Sequence, residues 1–226
     1  MTISANQTPT RKEAARIERT SARRQQVLAA ASQLMEETGY HGMSMQALAD
    51  RADVSVGLIY QYFGGKEDVL QAVIVDILED FAAHVPTAIA EAGDDPVARL
   101  TSAVRAFCRI IDTKRQATAL AYRESQTLPL EARRRIMSLE TSTSEPIRQA
   151  IRDGIDAGVF RPVDVELVAH NILMSAHGWS LKHWNLARRM SVDGYADGQV
   201  DLLLASLRTA LPVAASPSPA RTSDDV

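Results

Sequence analysis

A single cysteine, Cys108, in 226 residues leaves no internal disulfide to build on and suits a reducing compartment. No apolar run approaches the ~18 residues that a membrane-spanning helix needs. The opening stretch, MTISANQTPTRKEAAR, has no apolar segment of the signal-peptide kind, so the expectation is a soluble, cytoplasmic chain without a membrane partner. Catalytic signatures are missing too: there is no Gly-rich phosphate loop, no G-x-S-x-G turn, no H-E-x-x-H and no Cys/His cluster at metal spacing. His170 and His177 stand seven residues apart, two helical turns, farther than one metal ion bridges. No enzyme activity, cofactor or metal is therefore expected. Strand alternation and internal repeats are also absent, which leaves an all-α chain. Positive charge is not in excess: 25 Lys and Arg against 28 Asp and Glu give a net charge of −3. That balance is unusual for a nucleic-acid binder, so the placement of the charge matters more than its sum.

What the chain does have is 46% hydrophobic residues, enough for a real core, and one unusual stretch, Ser44 to Lys66. Met45, Leu48, Ala49 and Ala52 recur at helical spacing behind Ser44, an N-cap residue type. After a polar corner at Asp53, Ser55 caps a second short run carrying Leu58, Ile59, Tyr62 and Phe63, which Gly64 and Gly65 stop. Two short helices at a steep angle present the N-terminus of the second outward. There Gly57 adds no side chain, free N–H groups offer partial positive charge, and Tyr60, Tyr62 and Lys66 offer hydroxyls and a cation to phosphate oxygens. The other reading is a helical hairpin whose tyrosines only pack.

The same residues carry a resemblance. Ser44, Leu48-Ala49, Ala52, Val54-Ser55, Gly57, Tyr60, Tyr62-Phe63 and Lys66-Glu67 resemble the DNA-binding signature of the TetR repressor family. Asp53 departs from it, standing where that family has Gly, and aspartate tolerates left-handed backbone better than most residues. The resemblance implies that Gln46, Val56, Gly57, Leu58 and Gln61 face base edges. It also implies that Ser44, Ser55, Tyr60, Tyr62 and Lys66 hold phosphates of a pseudo-palindromic double-stranded operator.

Around this stretch the expected organisation is a basic, disordered arm over 1–20, a three-helix helix-turn-helix domain over 21–66, a connecting helix and linker over 67–93, a helical ligand-binding and dimerisation domain over 94–211, and a disordered tail over 212–226. Six cations, Arg11, Lys12, Arg16, Arg19, Arg23 and Arg24, precede the first apolar run. They form either a phosphate-binding arm or a solvated helical extension. Arg24 to Tyr40 reads as a helix closed by Gly39, the connecting helix ends near Pro86, and Pro129 and Pro146 divide the later helices. The last two, Val165 to Lys182 and Ala196 to Leu211, show more apolar surface than one domain face needs. Ile172, Leu203 and Leu207 are accordingly assigned to a two-fold homodimer, as the resemblance also implies.

For a small-molecule effector, the polar and aromatic residues among apolar neighbours are Phe107, Tyr122, Asn171, Met174, His177, Gly178 and Trp179. Each is equally a candidate core residue. The stretch His177 to Leu186, HGWSLKHWNL, is similar to family members that repress fatty-acid or steroid degradation and respond to acyl-CoA esters. An acyl-CoA would place its chain on Phe107, Ile110, Met174 and Trp179. Its phosphates would lie on arginines such as Arg105, Arg109 and Arg123, unless these form solvated faces with nearby glutamates. The expected function is thus a ligand-released repressor, the alternative being a small-molecule-binding or scaffold helical protein without operator binding.

Overall fold

The computed structural model describes residues 10–208. The expectations for 1–9 and for the tail, together with Leu211, lie outside the described residues. Eleven α-helices fill the described part: α1 Arg11–Gly42, α2 Met45–Arg51, α3 Val56–Phe63, α4 Lys66–Glu91, α5 Pro96–Thr113, α6 Arg115–Glu124, α7 Leu130–Thr143, α8 Glu145–Asp156, α9 Val165–Leu181, α10 His183–Leu186 and α11 Val192–Leu207. A 3₁₀ turn, Ser125–Thr127, follows α6, and one isolated bridge joins Phe160 to Arg208. This is the expected all-α class, an N-terminal helix-turn-helix domain followed by a helical domain.

The N-terminal core forms where the apolar stripe of α1 (Val27, Leu28, Ala31, Leu34, Met35) meets Leu48 and Ala49 of α2, Ile59 and Phe63 of α3, and Val69, Leu70 and Val73 of α4. Arg24, near the middle of α1, approaches Glu79 while Lys66 reaches the His41 carbonyl at the C-terminal end of α1, so α1 and α4 run antiparallel. The C-terminal core centres on α5, which buries Leu100, Val104, Phe107 and Ile111 and contacts α4, α8, α9 and α11. Phe107 stacks on Phe81 of α4, with ring centroids 3.8 Å apart and planes 10° from parallel. The long α4 therefore belongs to both cores.

Three boundaries differ from expectation. Residues 11–20 are helical rather than an unstructured arm, because Thr10 and Glu13 form a reciprocal capping box that starts α1 well ahead of the apolar stripe. At Gly39, by contrast, the regular helix stops as expected: its φ of 73° and ψ of 162° are non-helical, and only a short turn continues to Gly42. Pro86 does not break α4: burial of Val85 and Ile89 on either side outweighs one lost backbone bond, and α4 runs on to Glu91. The last helix starts four residues before Ala196, at Val192, where Ser191 accepts from the Gly194 N–H.

Where α5 meets α6 the two domains share a polar joint. Asp76 of α4, only 5% exposed, receives the Lys114 ammonium and the Gln25 side-chain amide, the latter at 2.7 Å. Lys114 also reaches Asp80 at 3.2 Å. Burial alone would lower the pKa of Lys114, yet bonding and charge from Asp76 and Asp80 hold it above the ordinary lysine value. A charged residue in the buried register of α4, between Val73 and Ile77, was a signal for this joint that periodicity alone passes over.

Candidate functional site

The reading head is built by two serine caps. Ser44 Oγ accepts from the Ala47 N–H at 3.1 Å and starts α2, and Ser55 Oγ accepts from the Leu58 N–H at 3.2 Å and starts α3. Capping uses a lone pair and leaves each hydroxyl proton free to donate outward. Between the helices Asp53 adopts φ 49°, the one non-glycine residue with positive φ among those described. The carbonyl of Ala52 is satisfied by the Gln26 side-chain amide at 2.9 Å, which ties the turn to α1.

Ser44, Gln46, Ser55, Gly57, Tyr60 and Gln61 are exposed, Tyr60 to 50%. Val56, Leu58, Tyr62 and Lys66 are half-buried, and Val56 and Tyr62 pack against the core. An added Cβ at Gly57 meets nothing within 4 Å, so the fold itself does not require glycine there. Leu58 N–H is taken by Ser55, whereas the amides of Val56 and Gly57 have no partner among the described residues. The head's side chains are less available than the sequence suggests. Gln46 donates to Asp50 at 2.8 Å. Arg51 grips Glu37 through two bonds of 3.0 and 2.6 Å, which lower the Glu37 pKa and fasten α2 to α1. Lys66 donates to the His41 carbonyl at 3.0 Å and lies 4.8 Å from the centre of the Tyr40 ring.

The effector candidates fall into separate places. A cavity of about 350 Å³ opens between α4, α6, α7 and α9, lined by Ile74, Ile77, Leu78 and Phe81 with Tyr122, Ile136, Glu140 and His177. Tyr122 Oη and His177 Nδ1 lie 2.8 Å apart, and Met174 Sδ is 3.8 Å from the same hydroxyl. Burial pushes His177 down to about 4, so it is neutral at pH 7, and burial and Glu140 raise Tyr122. Phe107 and Trp179 are core residues instead: the first stacks on Phe81, and the Trp179 indole donates to Asp112 at 2.8 Å. Arg105 and Arg109 pair with Asp197 and Asp193 on the α5–α11 face, away from this cavity. Ile110 lines a shallow groove on that side, Asn171 faces a groove between α5, α9 and α11, and Gly178 lies against the Tyr195 hydroxyl. Arg123 is exposed. At the cavity mouth Gln126 accepts from Arg133 at 3.0 Å, and the Arg133 Nε is buried without a partner among the described residues.

On α9 and α11 the proposed dimer residues need correcting. Ile172 and Leu207 are buried within the chain, Leu207 to 1% exposure, and only Leu203 remains partly open. The apolar side chains left uncovered there are Leu167, Met174, Leu181 and Leu202, the last 69% exposed.

Comparison with known proteins agrees with this architecture. Residues 27–73 match the family model "Bacterial regulatory proteins, tetR family", and 93–207 match "Tetracyclin repressor-like, C-terminal domain". The chain is 39% identical over 188 residues to the HTH-type transcriptional regulator HbdR of Aromatoleum sp. strain CIB, covering 83% of this chain and 82% of that one. It is 31% identical to the HTH-type transcriptional activator FasR of Mycolicibacterium smegmatis, with 79% and 80% covered. Among solved structures it resembles the TetR family regulator PfmR of Thermus thermophilus, with a TM-score of 0.71, 27% identity, and 81% and 99% of the two chains covered. With its reading head and both halves accounted for, the chain belongs to the TetR family and is a DNA-binding transcriptional regulator.

Proposed function

We propose that the protein is a homodimeric repressor that leaves a pseudo-palindromic operator when a hydrophobic small molecule enters the α4–α6–α7–α9 cavity. The observation that carries this reading is that α4 lines the cavity with Ile74, Ile77, Leu78 and Phe81 and, through Val69, Leu70 and Val73, forms part of the reading-head core. A ligand wedged against the first set acts on the second through one rigid element. It shifts the DNA equilibrium only if it binds the released conformation more tightly. Tyr122 and neutral His177 offer hydrogen bonds to an uncharged polar group inside, and Arg133 at the mouth offers a cation to an anionic one.

An acyl-CoA thioester fits this division, its chain inside and its phosphates near Arg133 rather than near Arg105 or Arg109, which Asp197 and Asp193 occupy. The homodimer uses the uncovered face around Leu202 and Leu203, and the protein works in the cytoplasm. The test is a mobility shift on the gene's own upstream DNA, titrated with medium- and long-chain acyl-CoAs, free CoA and the matching free acids. Release by thioesters alone supports the reading. Equal release by free acids sinks the CoA assignment, and failure to bind any upstream duplex sinks the repressor.

A further inference from the structure

The reading head has little positive charge to spend on DNA. Between Ser44 and Lys66 stand two acids, Asp50 and Asp53, and two bases, Arg51 and Lys66. Both bases are already engaged, one by Glu37 and the other by the His41 carbonyl and the Tyr40 ring. Phosphate contacts in the head therefore rest on hydroxyls and backbone amides. Yet affinity for duplex DNA comes largely from cations that displace condensed counterions.

Such cations are present on the first half of α1. Lys12, Arg16, Arg19 and Arg23 follow one another at steps of four, three and four residues, which aligns them on one face over roughly 16 Å of helix. All four are exposed, and among the described residues none makes a salt bridge, Arg23 donating only to Gln26 at 3.1 Å. Glu13 and Glu18 fall on other faces of the helix, and the Glu13 carboxylate is occupied as a cap by Thr10 N–H at 2.8 Å. That capping box makes the stripe a fixed row of charges. Its root adjoins the reading head: Gln26 bonds the carbonyl of Ala52 in the turn, and the Arg24 guanidinium lies 5.7 Å from the centre of the Phe63 ring at the end of α3.

We propose that this stripe is a second DNA-contacting element, gripping phosphates outside the stretch that α3 reads. The assignment rests on the operator-binding reading above, but it is sequence-independent and can be tested apart from it. The full-length chain and its K12Q/R16Q/R19Q/R23Q variant, chosen because Gln keeps helix propensity, are titrated against a duplex from the upstream region and a random duplex of equal length. Binding is followed by fluorescence anisotropy at several salt concentrations, with thermal unfolding confirming that the variant is folded. Each phosphate contact removed lowers the salt slope by roughly 0.9. With four contacts from each protomer of the dimer, between about 50 and about 200 mM salt the wild type then loses roughly 10,000-fold more affinity than the variant, on both duplexes.

Equal slopes for the two proteins overturn the proposal. Wild-type binding to random DNA alone, with the slope difference intact, would remove the operator reading and keep the stripe. Anionic vesicles of phosphatidylglycerol and phosphatidylcholine form the last arm. Loss of vesicle binding in the variant, with unchanged DNA slopes, would assign the stripe to a lipid surface and refute the proposal.

Discussion

Gly57→Ala separates what the fold needs from what a partner needs. The residue is the second of α3, its backbone is helical, and a Cβ placed there meets nothing within 4 Å. In the free protein the substitution restricts the unfolded chain and removes no contact, which stabilises by roughly 0.4–1 kcal/mol. For a chain of this size that raises Tm by roughly 1–4 °C. On DNA the effect reverses. The unpartnered amides of Val56 and Gly57 are the groups a phosphate would meet, and the methyl stands beside them. Losing one charge-assisted bond of about 1.5–3 kcal/mol in each half-site costs a dimer about 3–6 kcal/mol, at least roughly 100-fold in Kd. Differential scanning calorimetry and anisotropy titration measure the two quantities on one preparation. A higher Tm with unchanged DNA affinity would refute the apposition of this surface to DNA, and a lower Tm would refute the claim that the space is open.

Leu202→Glu should convert a dimer to a folded monomer in sedimentation, since that side chain is exposed, whereas Leu207→Glu should fail to fold, since Leu207 is buried. A folded, dimeric Leu202 variant would move the interface elsewhere. His177 gives a pH signature: its pKa falls from 6.5 to about 4 on folding, so the unfolded chain binds more protons between those values and stability drops as pH is lowered through that window. The loss is on the order of 3 kcal/mol by about pH 4. Tm measured against pH should flatten in His177→Gln, and an imidazole titrating near 6.5 by NMR would contradict the burial argument. Gly154→Ala places a methyl 2.0 Å from the Phe160 ring and should destabilise by about 1–3 kcal/mol, read as a lower Tm with intact dimerisation.

The helix class, the two serine caps and the turn at Asp53 were legible because each depends on neighbours within a few residues. Ser44 and Ser55 are both seen capping as their positions imply. The effector residues were less so, because which face of α5 or α9 meets a cavity is set by helices distant in sequence. Phe107 and Trp179 look like pocket aromatics in one dimension, and only the stacking on Phe81 and the bond to Asp112 show them to be core. Arg105 and Arg109 needed Asp197 and Asp193, more than 80 residues away, to reveal that they are occupied. The persistence of α4 past Pro86 was likewise invisible to local rules, since tertiary burial of Ile89 decides it.

The joint at Asp76 sets how motion crosses the molecule. One buried carboxylate is held from α1 by Gln25 and from the α5–α6 corner by Lys114, so sliding one of these helices past the others weakens the bonds that compensate the burial of Asp76. The joint therefore couples α1, α4 and the α5–α6 corner: none of them shifts without the others unless Asp76 and Lys114 exchange partners.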